Sequence, residues 1–141
     1  MKLRKILKQL VKDNIKYQEE HQDLKSIVSE KNWLNEACTV KLGTNRQAGH
    51  TTSAIYLSKY YNKILYISTL KNNLKNLKIS DDTSINLCNY NYLTSDSIRG
   101  TDYDIVIIDP VSLLSSKQLE SIKDMCAPLS KYKNFVLVLL Q

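Results

Sequence analysis

The sequence predicts an α/β three-layer sandwich, with a mostly parallel sheet of about five strands covered by helices and preceded by an N-terminal helical extension. Two observations predict it. From Cys38 onward, short apolar runs of strand length alternate with amphipathic stretches of helix length, as in successive βαβ crossovers. The run Ile105-Val106-Ile107-Ile108 is continuously β-branched, which suits a strand buried on both faces of a parallel sheet rather than one with a wet face.

The elements follow in order. Leu3, Ile6, Leu7, Leu10 and Val11, and then Leu24, Ile27 and Val28, fall at helical spacing, which predicts two helices or one broken helix over residues 3 to 36. The basic, amphipathic start suits a membrane surface or a partner as well as a core, and core packing is the favoured reading. A strand is expected at 38 to 43, then a glycine-containing turn, a helix from 51 to 61 and a strand at Ile64 to Ile67. A Lys/Asn-rich helix or loop runs to 79, and Ser84 to Cys88 forms a weaker strand. After the strand ending at Asp109 comes a helix at 115 to 127, which Pro128 should end, because proline lacks the amide hydrogen and clashes with the preceding turn. The last strand is Phe135 to Leu140. The organisation is therefore one compact domain, with a helical extension over 1–36 and the α/β part over 37–141.

With 141 residues and 43% hydrophobic content the chain can bury one core. It holds no long apolar run and no secretory hydrophobic region, so a soluble, cytoplasmic protein with no membrane partner is expected. Cys38, Cys88 and Cys126 are widely spaced and odd in number, which argues against a disulfide framework or a zinc knuckle and for buried thiols. The net charge of +6 permits binding to nucleic acid such as DNA, although the Lys, Asn, Ile and Tyr content also fits A/T-rich coding.

Residues 43 to 51 read Gly-Thr-Asn-Arg-Gln-Ala-Gly-His-Thr and contain two of the chain's 3 glycines. Glycines let backbone amides close around phosphate oxygens, and a hydroxyl after them can meet Mg²⁺. Gly49 and Thr51 suit those roles, while His50 stands where a phosphate-binding lysine is usual. A plain strand-to-helix turn also uses glycine and threonine, and both readings stay open. Asp109 closes a buried strand, where a carboxylate faces the crevice at the strand ends and can hold a metal; a helix-capping aspartate is the alternative.

Taken together these segments resemble the RecA-like P-loop NTPase core, as in the first motor domain of superfamily 1 and 2 helicases and the ATPase of phage terminase large subunits. Arg46-Gln47-Ala48-Gly49-His50-Thr51-Thr52 is similar to the R-x-x-G-K-T-T loop except at His50. Ser68 and Thr69 match a hydroxyl-bearing segment that touches single-stranded nucleic acid, and Ser95 to Gly100, with Arg99, is similar to the S-x-R-G segment before the acidic strand. Tyr17-Gln18 weakly resembles an adenine-reading glutamine motif. The resemblance spans about residues 17 to 140.

It implies a nucleotide, ATP with Mg²⁺, held by Arg46, Gln47, Gly49, His50, Thr51 and Thr52, with Thr51 and Asp109 on the metal and Ser68, Thr69 and Arg99 open to nucleic acid. Two catalytic positions depart from the family. Pro110 replaces the glutamate that orients the attacking water, and His50 replaces the lysine. The leading expectation is a degenerate ATP-binding protein, encoded by a phage or mobile element and linked to DNA replication, packaging or repair. The alternatives are a non-enzymatic adaptor of the same fold that binds DNA or a partner protein, and an active NTPase using an unconventional base such as Asp96 or Asp102. With Gln141 ending the chain just past the last strand, a partner protein or a homo-oligomer would have to complete any motor.

Overall fold

The computed structural model describes residues 2–43, 50–69, 85–94, 98 and 101–141. Five helices are described: α1 (Leu3–Glu20), α2 (Gln22–Lys25), α3 (Glu30–Ala37), α4 (His50–Leu57) and α5 (Ser116–Tyr132). The strands are β1 (Thr39–Leu42), β2 (Ile64–Ser68), β3 (Ile85–Asn89), β4 (Ile105–Asp109) and β5 (Val136–Leu140). They form a single 5-stranded sheet in the order β1-β5-β4-β2-β3, and every pairing is parallel.

The interior strands β2, β4 and β5 are buried at every position, so their alternating side chains must find cover on both sides of the sheet. Ile64, Tyr66, Ile105, Ile107, Val136, Val138 and Leu140 face a layer made by α1 and α4, and meet Leu7, Val11, Ala54 and Leu57 there. Leu65, Ile67, Val106, Ile108, Leu137 and Leu139 face α3 and α5, and meet Trp33, Leu34, Ile122 and Cys126. The predicted three-layer α/β sandwich is thus the observed one. The N-terminal helices do more than extend it: α1 belongs to one layer and α3 to the other.

Local signals agree with this packing. Ser29 caps α3 by accepting from the Asn32 amide at 3.2 Å. Ser115 and Gln118 make a reciprocal capping box at the start of α5. Buried Gln18 ties the end of α1 to the sheet, donating to Phe135 O at 2.8 Å and to Asn14 Oδ1 at 2.8 Å.

Two expectations are corrected. Pro128 does not end α5, which continues to Tyr132. A mid-helix proline costs about 3 kcal/mol. Beyond the proline Leu129 packs against the core and Ser130 is buried, its hydroxyl donating to Ala127 O at 2.6 Å, so the segment keeps its cover past Pro128. The helix expected around Leu24, Ile27 and Val28 is only the one-turn α2, with Leu24 39% and Ile27 76% exposed. Trp33, Leu34 and Ala37 of α3 already cover that face, and of the three earlier residues only Val28 packs against it.

Burial pushes the Cys38 and Cys126 thiols up to about 12. Both should stay protonated at pH 8 and resist a thiol reagent until the chain unfolds, which a labelling time course with and without urea would read. Leu7 is fully buried, so Leu7→Ala should cost about 2–5 kcal/mol in urea unfolding. A loss below about 0.5 kcal/mol, the level of a surface change, would mean that α1 is an appendage after all.

Candidate functional site

Because the sheet is all parallel, the C-terminal ends of its strands lie along one edge, the edge at which open α/β sheets bind ligands. β5 lies between β1, which leads into residues 44–49, and β4, which ends in Asp109. Asp109 shares its sheet face with Ile105 and Ile107, the face covered by α1 and α4. Register pairs Asp109 with Ser68 and Ile107 with Tyr66, so the Tyr66 phenol on the adjacent strand rises on the same face toward Asp109.

The three side chains meet. His50 Nδ1 lies 2.8 Å from Asp109 Oδ1, and the Tyr66 hydroxyl donates to Asp109 Oδ2. Tyr66 is fully buried, His50 is 5% exposed, and the Asp109 side chain 9%. A carboxyl group this deep needs directed donors to offset its lost hydration, and one comes from α4 and one from β2. The backbone reinforces the junction: the Thr69 amide donates to Asp109 O at 3.1 Å and Thr69 Oγ1 to Pro110 O at 2.7 Å, joining the ends of β2 and β4.

This arrangement joins His50 and Asp109, 59 residues apart in sequence. Thr51 follows in the first turn of α4, and Thr52 is exposed on the same helix. Arg46, Gln47, Gly49, Arg99 and Asp96 lie outside the described residues. Ser68 is fully buried and Thr69 half-buried with its hydroxyl engaged, so neither offers a free hydroxyl to a nucleic-acid strand in this conformation. Asp102 is corrected as a candidate base. It precedes β4 at the opposite edge of the sheet, paired with Lys133 Nζ at 2.8 Å. The hydrogen bond from Lys133 holds its carboxyl below the usual range, which weakens it as a base. Gln18 is likewise at that far edge, bonded to the residue before β5. Pro110 is buried, and its ring has no acceptor with which to orient water.

Tyr66 was not a candidate from sequence. Its signal was present: a tyrosine within an apolar strand must find a partner for its hydroxyl when buried. Among the described residues no group of three or more His, Cys, Asp or Glu side chains forms a cage for an ion by itself. No helix among the described residues is long and apolar enough to cross a membrane. No protein-family model matches the chain, and no curated protein or solved structure matches it either.

Tyr66→Phe keeps the ring and leaves one carboxyl oxygen of Asp109 without its donor, at an expected cost of about 1–3 kcal/mol in urea unfolding. In a double-mutant cycle with Asp109→Asn, the combined loss should be smaller than the sum of the two single losses. Additive losses would show that the two side chains do not support each other.

Proposed function

We propose that this chain is a degenerate P-loop nucleotide-binding protein, with ATP as the leading ligand, in which the His50–Asp109 pair stands where a lysine and a metal-binding acid stand in the RecA-like core it resembles. The observation that carries this reading is the meeting of His50 and Asp109 at 2.8 Å on the C-terminal edge of a parallel sheet. In this reading the amides of the glycine loop and the first turn of α4 face the phosphates, since a helix N-terminus favours anions. His50 gives up its contact with Asp109 to meet a phosphate oxygen. Thr51 and Asp109 hold Mg²⁺, which when bound offsets phosphate charge.

Hydrolysis is weak or absent, because Pro110 follows Asp109 and the exposed acid Asp102 lies at the wrong edge. One observation favours a second reading with slow turnover. Asp109 sits on Nδ1 of His50, the nitrogen through which a carboxylate orients a catalytic imidazole. We place the protein in DNA replication, packaging or repair on the resemblance alone, with a partner protein or a second copy completing the site.

Calorimetric titration with Mg·ATP should give a Kd in the micromolar range, weakened about tenfold or more by Asp109→Asn and by His50→Ala, the equivalent of about 1.4 kcal/mol. No heat at millimolar ligand would make the glycine loop a structural turn and favour the adaptor reading. Steady phosphate release that His50→Ala abolishes would select the turnover reading instead.

A further inference from the structure

The positive charge of the chain is concentrated where the site above does not use it. Lys2, Arg4, Lys5, Lys8 and Lys12 bring five cations to residues 2–12, with no acid among them, against a net charge of +6 for the whole chain. Leu3, Leu7 and Val11 turn into the core, which leaves Lys5, Gln9 and Lys12 on the open side of α1. There a groove of about 340 Å³ runs between α1 and α4, lined by Lys5, Lys8, Gln9, Lys12 and Tyr56.

The groove is organised by aromatic rings. The Lys8 ammonium stands 3.5 Å from the centre of the Tyr60 ring, the Arg4 guanidinium 5.3 Å from that of Tyr56, and Lys59, in the turn after α4, 5.5 Å from Tyr56. The two phenol oxygens are 3.1 Å apart, and the rings meet edge to face at 5.3 Å. Cation–π contact limits the conformations of flexible basic side chains, so less freedom is lost when an anion arrives. The Tyr60 phenol is held below its ordinary value, first by the hydrogen bond with Tyr56 and further by the Lys8 and Lys59 charges, as expected in a strongly positive setting.

These cations have no carboxylate partner among the described residues. Lys31, Lys63, Lys123 and Lys133 elsewhere all pair with Asp or Glu. Arg4 Nε is buried without a hydrogen-bond partner, a donor that the described fold does not satisfy. The nearest acid on the helix, Asp13, accepts from Gln9 at 2.8 Å.

We infer that the α1–α4 groove binds the phosphodiester backbone of a single-stranded nucleic acid. A membrane surface is a poor occupant, because the apolar stripe that would enter lipid is already inside the core. Arg4, Lys5, Lys8 and Lys12 span about 12 Å along the helix axis at 1.5 Å per residue, enough for about four phosphates of one strand. The exposed Tyr60 edge offers a surface against which a base can pack. This site does not depend on the nucleotide reading: it lies on the outside of one helical layer and shares no residue with the His50–Asp109 pair.

The test is fluorescence anisotropy of a labelled oligothymidine of about 15 nucleotides with the full chain, read against salt. With four cations engaged, the expected slope of log affinity against log salt is about −2.8, a weakening of about 50-fold between about 50 and 200 mM. Lys5→Gln/Lys8→Gln/Lys12→Gln should reduce the slope to about −0.7 and the affinity at low salt by about tenfold or more. Lys31→Gln/Lys117→Gln/Lys123→Gln removes the same charge from α3 and α5 on the other layer and should keep most of the binding. Equal loss in both triple variants would reduce the effect to net charge and overturn the proposal. No binding at about 50 mM salt would overturn it as well. So would a duplex bound more tightly than the single strand, or equally effective competition by polyglutamate, which would point to an acidic protein. Thermal melts establish that the variants are folded. If the groove triple variant is not, the exposed single variant Lys12→Gln carries the test through a reduction of about 0.7 in slope.

Discussion

Three adjacent strands, β5, β4 and β2, are buried along their whole length on both faces, and most of the molecule follows from that constraint. Such strands need apolar cover above and below, and their parallel pairing brings all the C-terminal ends to one edge. Their sequences are Ile-Leu-Tyr-Ile-Ser, Ile-Val-Ile-Ile-Asp and Val-Leu-Val-Leu-Leu. The polar side chains in this set, Tyr66, Ser68 and Asp109, fall toward that single edge, and the opposite half of the buried sheet is wholly apolar. Polar groups in such strands must be satisfied locally, and at this edge Asp109 and Tyr66 satisfy each other.

Asp109 converts that clustering into geometry. Its two carboxyl oxygens face donors from different elements, so the start of α4 and the middle of β2 are both fixed relative to the end of β4. Helix α4 and the turn that follows it then set the positions of Tyr56 and Tyr60, beside which Arg4 and Lys8 of α1 are arranged. Arg4 lies on Tyr56, and Lys8, four residues further along α1, on Tyr60, four residues further along the chain in the turn after α4, so α1 and α4 run in the same direction. A buried carboxyl at the sheet edge and an exposed basic groove are thus connected through one helix, without sharing a residue.

How much of this was legible in the sequence depended on how locally each feature is encoded. The strands were, because β-branched and apolar runs such as Ile105 to Ile108 carry their burial in their composition. The fate of Leu24 and Ile27 was not: helical spacing states that a face is apolar, and only tertiary packing decides whether any surface remains for it to cover. Pro128 misled for the same reason, since Leu129 and Ser130 beyond it are held against the core by tertiary packing. At the site, His50 and Asp109 were found as separate motif positions, while their contact required the strand order that places β5 between β1 and β4. Tyr66 was missed because a tyrosine in a hydrophobic strand reads as core; its role depends on the β2–β4 register, which no single-strand pattern encodes.

The choice of histidine at position 50 has a cost that can be reasoned through on the proposed reading. A lysine ammonium is strongly hydrated and expensive to bury, whereas an imidazole can sit at 5% exposure when one ring nitrogen meets a carboxyl group. The exchange makes the junction of α4 and the sheet compact without a ligand. It also commits Asp109, both of whose oxygens already have partners, so a metal or a phosphate must compete with contacts that hold the fold together. Losing one such buried hydrogen bond costs about 1–3 kcal/mol. If ligand contacts do not replace it in full, nucleotide affinity falls by about 5- to 150-fold relative to a site whose acid is uncommitted. On that reading, stability of the junction and strength of nucleotide binding are opposed, with Asp109 as the group on which both depend.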